Sequence, residues 1–268
     1  AGGGAAGALN MWYDADIDGL MKRTRMRPVP VGLIHKDEAL AMGLVMSFVA
    51  VLLLALTATS YLAAALLVFT IFFYAVVYSM WLKRATPQNI VIGGLAGALP
   101  PLVGWAAASG EMSLDAWLLV AIIFWWTPPH SWALALYKSG DYAAANVPMM
   151  PVARGAKFTR LQIWLYSIVL VICSLLPVAT GLGGALYAGV SGVSGLVFLI
   201  LAWRVYRSEA GDTDGREDGR ALYSDKAIAN RPARDLFAFS LLYLTALFAA
   251  LLLEHGLGLY LRVTGLWT

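Results

Sequence analysis

Seven stretches of the chain run for about 20 residues with scarcely a charge, enough to cross roughly 30 Å of hydrocarbon as helices rising about 1.5 Å per residue. They are Ala39–Ser60, Tyr61–Leu82, Ile90–Ala108, Leu114–Tyr137, Leu161–Thr180, Gly184–Tyr206 and Leu236–Glu254, and a half-length apolar piece, Ala1–Tyr13, precedes them. None alternates apolar with polar residues, and each is about twice as long as a barrel strand, so the pattern predicts helices. The fold class it points to is all-α, a polytopic helical membrane protein. Composition agrees: 60% of residues are hydrophobic and 13% charged, against about 45–50% and about 25% in soluble domains. A soluble enzyme and a disordered chain are excluded.

The first residue is Ala1 and its apolar piece is too short to span, so we expect further chain before it. No positive charge precedes the opening apolar residues, which argues against a secretory signal. The single cysteine, Cys173, lies within an apolar span and excludes an internal disulfide or a cysteine-cluster metal site.

Charge adds orientation. Of 19 Lys and Arg, all but Arg262 fall in alternate connections: between Asp14 and Glu38, at Lys83 and Arg84, from Lys138 to Arg160, and from Arg204 to Arg234. The turns near Ser60, Glu111 and Gly183 carry none, so the basic connections are expected on the cytoplasmic side. The pI near 9.0 then reflects topology and anionic lipid heads, with no nucleic acid as partner.

Candidate chemistry gathers at the cytoplasmic ends. Asn10, Asp14 and Asp18 recur every fourth residue, so on a helix they project from one face. Carboxylates stacked in this way repel one another unless a cation lies between them, and Mg²⁺ suits such oxygen ligands together with substrate phosphates. Lys22, Arg23 and Arg27 follow closely, with guanidinium forks that can engage phosphate oxygens. The group reads as a metal-diphosphate site, whereas Asp16, about 200° round the helix from Asp14, reads as solvated. A second cluster, Lys83, Arg84, Thr86, Gln88 and Asn89, offers cations and amides for diphosphate oxygens or a carboxylate, or else caps the next helix. Gly93, Gly94 and Gly97 read as close-packing positions.

Pro128, Pro129 and His130 predict a helix break inside a span. His130, Leu134, Lys138 and Asp141 would line one face running to the cytoplasmic end, with Tyr142 beside Asp141. His35 and His255, near span ends, read as structural. In the Arg204–Asp235 loop, Asp212-Thr-Asp214-Gly215 lacks the closing Glu and flanking helices of a calcium loop, so it reads as solvated.

The Asn10-x3-Asp14-x3-Asp18 row followed by Arg23-Thr24-x-x-Arg27-Pro28 resembles the first aspartate motif of the UbiA-type intramembrane prenyltransferases. Two further stretches, Trp81–Ile90 with Gly93-Gly94 and Trp126–Tyr137, resemble the branch of that family that farnesylates protoheme IX to haem O. The run from Leu236 to Tyr243 is similar to that branch's last helix. The resemblance implies one transmembrane domain over 1–268, in a family with nine helices, so the first helix and part of the second are expected to precede Ala1. It implies farnesyl diphosphate and haem B as substrates, Mg²⁺ as cofactor, and a bacterial inner (plasma) membrane location. The product would pass to a haem A synthase, toward terminal oxidases.

The resemblance also implies roles. Asp14 and Asp18, with Asn10 and Asp141, hold metal. Lys22, Arg23, Arg27 and Lys138 hold diphosphate, and Lys83, Arg84, Gln88, Asn89 and Tyr142 hold diphosphate or haem. Relatives usually carry two aspartates near Asp141, where this chain offers Lys138. For His130 three roles stay open: haem-iron ligand, proton carrier, or hydrogen-bonding group within the bundle. Two other readings are a prenyltransferase with a quinone-precursor or chlorin acceptor, and a secondary transporter. Release of diphosphate separates enzyme from transporter.

Overall fold

A computed structural model describes residues 1–212 and 228–257. Among these residues the structure is helical, and seven helices are long and apolar enough to cross a membrane. Helix α1 is Gly2–Tyr13 and α2 is Ala15–Leu20. The spans are α3 (Lys36–Thr57), α4 (Tyr61–Ala85), α5 (Asn89–Ser109), α6 (Leu114–Tyr137), α9 (Ala156–Thr180), α10 (Ala185–Arg207) and α11 (Arg231–Gly256). Two short helices, α7 (Ser139–Ala144) and α8 (Met150–Arg154), lie between α6 and α9.

The spans match the expected positions, several with an extra turn that carries charge. Helix α3 starts at Lys36 because His35 caps it: Glu38 Oε2 accepts the His35 N–H at 2.8 Å, and His35 Nδ1 accepts the Asp37 N–H. Hydropathy alone misses such a turn, since its side chains are polar although its backbone is helical.

The chain divides into two compact units, Ala1–Val120 with Lys138–Ala153, and Ala121–Tyr137 with Arg154–Thr268. In the first, α1 packs along α3. A Cβ on Gly43 would sit 2.7 Å from the Leu9 side chain and 3.1 Å from the Leu9 backbone nitrogen, so glycine there lets α1 approach closely. The tight α3–α4 turn is stitched to the end of α5 by Thr59, whose N–H and hydroxyl both reach the Ala107 carbonyl at 3.0 Å. Large apolar side chains such as Leu44, Phe48, Leu52 and Leu56 of α3 point outward, the surface expected against lipid.

In the second unit, Trp132, Tyr187, Phe198 and Tyr243 are fully buried. Glu254 is also fully buried, and its carboxylate accepts the N–H groups of Gly184 and Tyr187 at 2.8 and 3.0 Å, capping the start of α10.

Two local expectations are corrected. Pro128 and Pro129 lie inside a continuous α6, so there is no break. Beside the prolines the Thr127 hydroxyl donates to the Ile123 carbonyl within α6, and the Trp126 indole N–H donates to the Ser240 carbonyl of α11, both at 2.8 Å. The expected face from His130 to Asp141 is not a helix face, because α6 ends at Tyr137 and Lys138 leaves helical geometry at φ −123°. The Asp212–Gly215 stretch lies outside the described residues except for Asp212, which pairs with the nearly buried Arg160 at 2.8 Å. Arg262 also lies outside them.

Candidate active site

The aspartate row forms where α1 meets α2. Asp14 is kinked at φ −87°, ψ 9°, yet helical hydrogen bonding carries through it, Asp14 N–H to the Asn10 carbonyl and Asp18 N–H to the Asp14 carbonyl, each 2.8 Å. Asn10, Asp14 and Asp18 are all buried, the two aspartates completely. Burying carboxylates is costly unless cations or donors attend them, and each here has both kinds or one. Lys83 pairs with Asp14 Oδ2, and Asn10 Nδ2 donates to the same oxygen at 2.7 Å and to Ser79 Oγ at 3.0 Å. Arg27 Nη1 binds Asp18 Oδ2 at 2.7 Å, and the Thr24 hydroxyl ties the following loop to the Asp18 carbonyl at 3.0 Å.

Asp14 Oδ1, Asp18 Oδ1 and Asn89 Oδ1 are buried with no hydrogen-bond partner. For Asp14 Oδ1 the Arg84 guanidinium is 3.6 Å away, beyond hydrogen-bond reach. Three unpartnered hard oxygens, two of them anionic, fit a hard divalent cation. Among the described residues no three Asp, Glu, His or Cys side chains gather as a metal cluster. Two carboxylates suffice for Mg²⁺, which binds through one or two and completes its shell with phosphate oxygens and water.

A cavity of about 190 Å³ opens on this row, lined by Asn10, Asp18, Arg23, Arg27, Tyr74, Tyr78, Lys83, Asn89 and Tyr142 among others. Of the residues singled out from sequence, it therefore brings together Asn10, Asp18, Arg23, Arg27, Lys83, Asn89 and Tyr142. Asp14 is held by Asn10 and Lys83, which line it. Lys22, Gln88 and Lys138 are exposed and, like Asp141, are not in its wall. Arg84 turns away to Asp16, gripping both carboxylate oxygens at 2.8 Å and lying 4.9 Å over the Tyr13 ring. That pairing holds the Asp16 carboxyl below its usual range against a smaller opposing effect of burial. Burial pushes the Tyr142 phenol up, and Arg23 opposes it.

Helix α4 supplies residues that sequence reasoning missed. Its segment Phe73–Leu82 is a π-helix, with the Lys83 N–H reaching five residues back to the Tyr78 carbonyl. Tyr74 and Lys83 are nine residues apart, two and a half turns of an α-helix at about 3.6 residues per turn, which would set them on opposite sides. The slower π winding returns them to one side, and both line the cavity. Tyr78 packs against Tyr74 with ring centroids 5.4 Å apart and the rings tilted by 38°. Its ring occupies the space above Gly93, where a Cβ would lie 2.1 Å from a ring carbon. Gly93 thus serves close packing as expected, while a Cβ on Gly97 would meet nothing within 4 Å.

An apolar groove of about 450 Å³ adjoins the cavity, lined by α1 (Gly3, Gly7), α4 (Leu67, Ile71) and α5 (Gly97, Val103) with their neighbours. Tyr74 belongs to the linings of both.

His130 stands in the second unit. It is stacked between Trp126 and Phe237 with centroids 4.1 and 4.6 Å away, and its Nδ1 is 2.6 Å from Ser240 Oγ. His35 caps α3, and His255 Nε2 lies 2.8 Å from the Leu182 carbonyl.

The fold is shared with two solved structures. One, of a digeranylgeranylglyceryl phosphate synthase, superposes with a TM-score of 0.69 at 17% identity, over 92% of this chain and 80% of that one. The other, an apo UbiA homolog from Aeropyrum pernix K1, gives 0.68 at 21% identity, over 94% and 84%. In sequence the chain is 64% identical over 264 residues to the protoheme IX farnesyltransferase of Maricaulis maris, covering 98% of this chain and 79% of that one. It is 63% identical to that of Caulobacter vibrioides over 96% of this chain and 78% of the relative. The model of the UbiA prenyltransferase family matches residues 1–224. With that match over most of its length, the chain belongs to the UbiA prenyltransferase family.

Proposed function

We propose that the protein transfers the farnesyl group of farnesyl diphosphate to a vinyl group of haem B, giving haem O and diphosphate. The observation that carries the reading is the buried pair Asp14 and Asp18, each with an unpartnered oxygen, beside a cavity ringed by Lys83, Arg23 and Arg27, with an apolar groove on the other side of Tyr74. Such a site suits a substrate with an anionic head and an apolar tail. The identity to protoheme IX farnesyltransferases supports the choice of acceptor and of prenyl group.

Prenyltransferases of this family use a divalent metal with diphosphate substrates. We assign Mg²⁺, held by Asp14 and Asp18 with amide oxygens of Asn10 and Asn89 nearby. When bound it supplies positive charge that offsets the negative charge growing on the departing diphosphate.

The chain's own residues do the rest. Asn10 fixes the Asp14 carboxylate by its 2.7 Å bond. Lys83, Arg23 and Arg27 present cations to diphosphate oxygens from a wall already organised, so little reorganisation accompanies reaction. As the C1–O bond breaks, its electron pair leaves with diphosphate. The vinyl group's electron pair then joins C1, and the positive carbon left behind takes up water, which loses a proton. The apolar groove keeps water from the allylic cation before that attack.

We place the site on the cytoplasmic side of a bacterial inner membrane, because the connections beside it hold the Lys and Arg clusters. The test is diphosphate release from farnesyl diphosphate by the purified protein in lipid with Mg²⁺ and haem B. Chelation should abolish release and Mg²⁺ should restore it. Release that persists after complete chelation contradicts the metal assignment, and transfer only to an aromatic ring contradicts the acceptor.

A further inference from the structure

We propose that Asp16 is a positioning residue whose carboxylate holds the Arg84 guanidinium off Asp14 Oδ1 and keeps that oxygen open to the metal; this rests on the divalent-metal reading above.

Two carboxylates and two adjacent cations meet where α1 joins α2, and their pairing sorts them. Asp14 and Asp16 stand about 200° apart round the helix, and the first is fully buried while the second is 62% exposed. Lys83 reaches in to Asp14 Oδ2, where the Asn10 amide also donates, so that oxygen is satisfied. Arg84, the next residue, turns out to Asp16, with Nη1 and Nη2 each 2.8 Å from one carboxylate oxygen. Asp14 Oδ1 is left buried with no hydrogen-bond partner.

Electrostatics alone would not leave Oδ1 open. Arg84 Nη2 is already 3.6 Å from it, and a shift of roughly 0.7 Å would bring it to the usual hydrogen-bond distance. A buried carboxylate oxygen without a donor attracts a cation strongly, because no water screens it. The fork on Asp16 opposes the shift, since a guanidinium bound through two parallel N–H groups loses that geometry when it turns. The Tyr13 ring, 4.9 Å from the guanidinium, and the Tyr13 carbonyl, 3.5 Å from Nη2, steady Arg84 without using either carboxylate. Both Asp16 oxygens are taken by Arg84, so Asp16 acts on the metal only through that residue. Without Asp16 the guanidinium closes on Oδ1, and a divalent ion has to displace a charge-assisted bond from its own ligand.

The test is titration with Mn²⁺ alone in phosphatidylcholine nanodiscs, with free Mn²⁺ counted by electron paramagnetic resonance. Wild type, Asp16→Asn, Arg84→Met and the double variant are compared, and Asp14→Asn identifies binding at the site. Surface pairs add little stability, so Asp16→Asn should unfold at the wild-type temperature. It should bind Mn²⁺ at least about tenfold more weakly, the worth of one charge-assisted hydrogen bond. Arg84→Met alone should change the affinity little, whereas added to Asp16→Asn it should restore nearly wild-type binding. In diphosphate release, excess Mg²⁺ should outcompete the guanidinium and recover the Asp16→Asn rate. Three results overturn the proposal alone: wild-type affinity in Asp16→Asn, an Arg84→Met effect of equal size with and without Asp16, or a rate that excess Mg²⁺ does not recover. The second would mean that charge acts at a distance and position does not matter. Wild type with no Mn²⁺ binding that depends on Asp14 overturns the metal reading and the proposal with it.

Discussion

Asp14 has no exposed surface, and Lys83 supplies its counter-charge from another helix. Removing one partner of a buried pair leaves an uncompensated charge, so Lys83→Met should destabilise the protein by about 3 kcal/mol. Adding Asp14→Asn should restore most of that, because an amide needs no cation. Thermal unfolding in detergent checks stability, and diphosphate release should stay absent in the double variant. Recovered activity would make the pair purely structural. Gly93→Val drives a side chain into the Tyr78 ring and should cost about 1–3 kcal/mol; a second change, Tyr78→Ala, should recover stability but not wild-type turnover. At this scale the sequence disclosed Asn10, Asp14 and Asp18, because polar groups every fourth residue in an apolar setting are conspicuous. It did not disclose Tyr74 or Tyr78, since a tyrosine in an apolar span looks the same whether it lines a site, a core or the lipid interface. Nor did it disclose that Arg84 is taken up by Asp16.

Among the helices, α4 departs most from what periodicity suggests. Counting at 3.6 residues per turn puts Tyr74 opposite Lys83, and no sequence signal marks the π segment, whose residues are ordinary apolar ones. Deleting Val77 should let the segment relax toward α winding and turn Lys83 about 80° away from Tyr74, eight residues at about 100° each. Circular dichroism should show unchanged helix content, while affinity for inorganic diphosphate falls at least about tenfold, the loss of one charge-assisted contact. Unchanged affinity would mean that the winding is incidental. The spans themselves were legible because a bilayer demands long apolar runs. Their ends were less so, since the charged turn capped by His35 and Glu38 is helical although polar. The break read at Pro128 and Pro129 failed because prolines remove backbone donors without forcing a membrane helix apart, and α6 runs through both.

For the molecule as a whole, the outward Leu, Val and Phe side chains and the alternation of basic connections make one account of a protein held in lipid with its ionic chemistry at one membrane face. Family membership follows from the match over residues 1–224, and the acceptor is the part that needs chemistry to establish it. The most direct measurement follows haem O by mass spectrometry in membranes from a strain without haem-farnesylating activity, supplied with haem B, farnesyl diphosphate and Mg²⁺. Wild type should form haem O. Asp14→Asn and Asp18→Asn, inserted to the same level, should lower the rate by at least about 100-fold, since each removes charge that stabilises the leaving diphosphate. Wild-type membranes that release diphosphate without forming haem O, or aspartate variants that form it at the wild-type rate, would contradict the account.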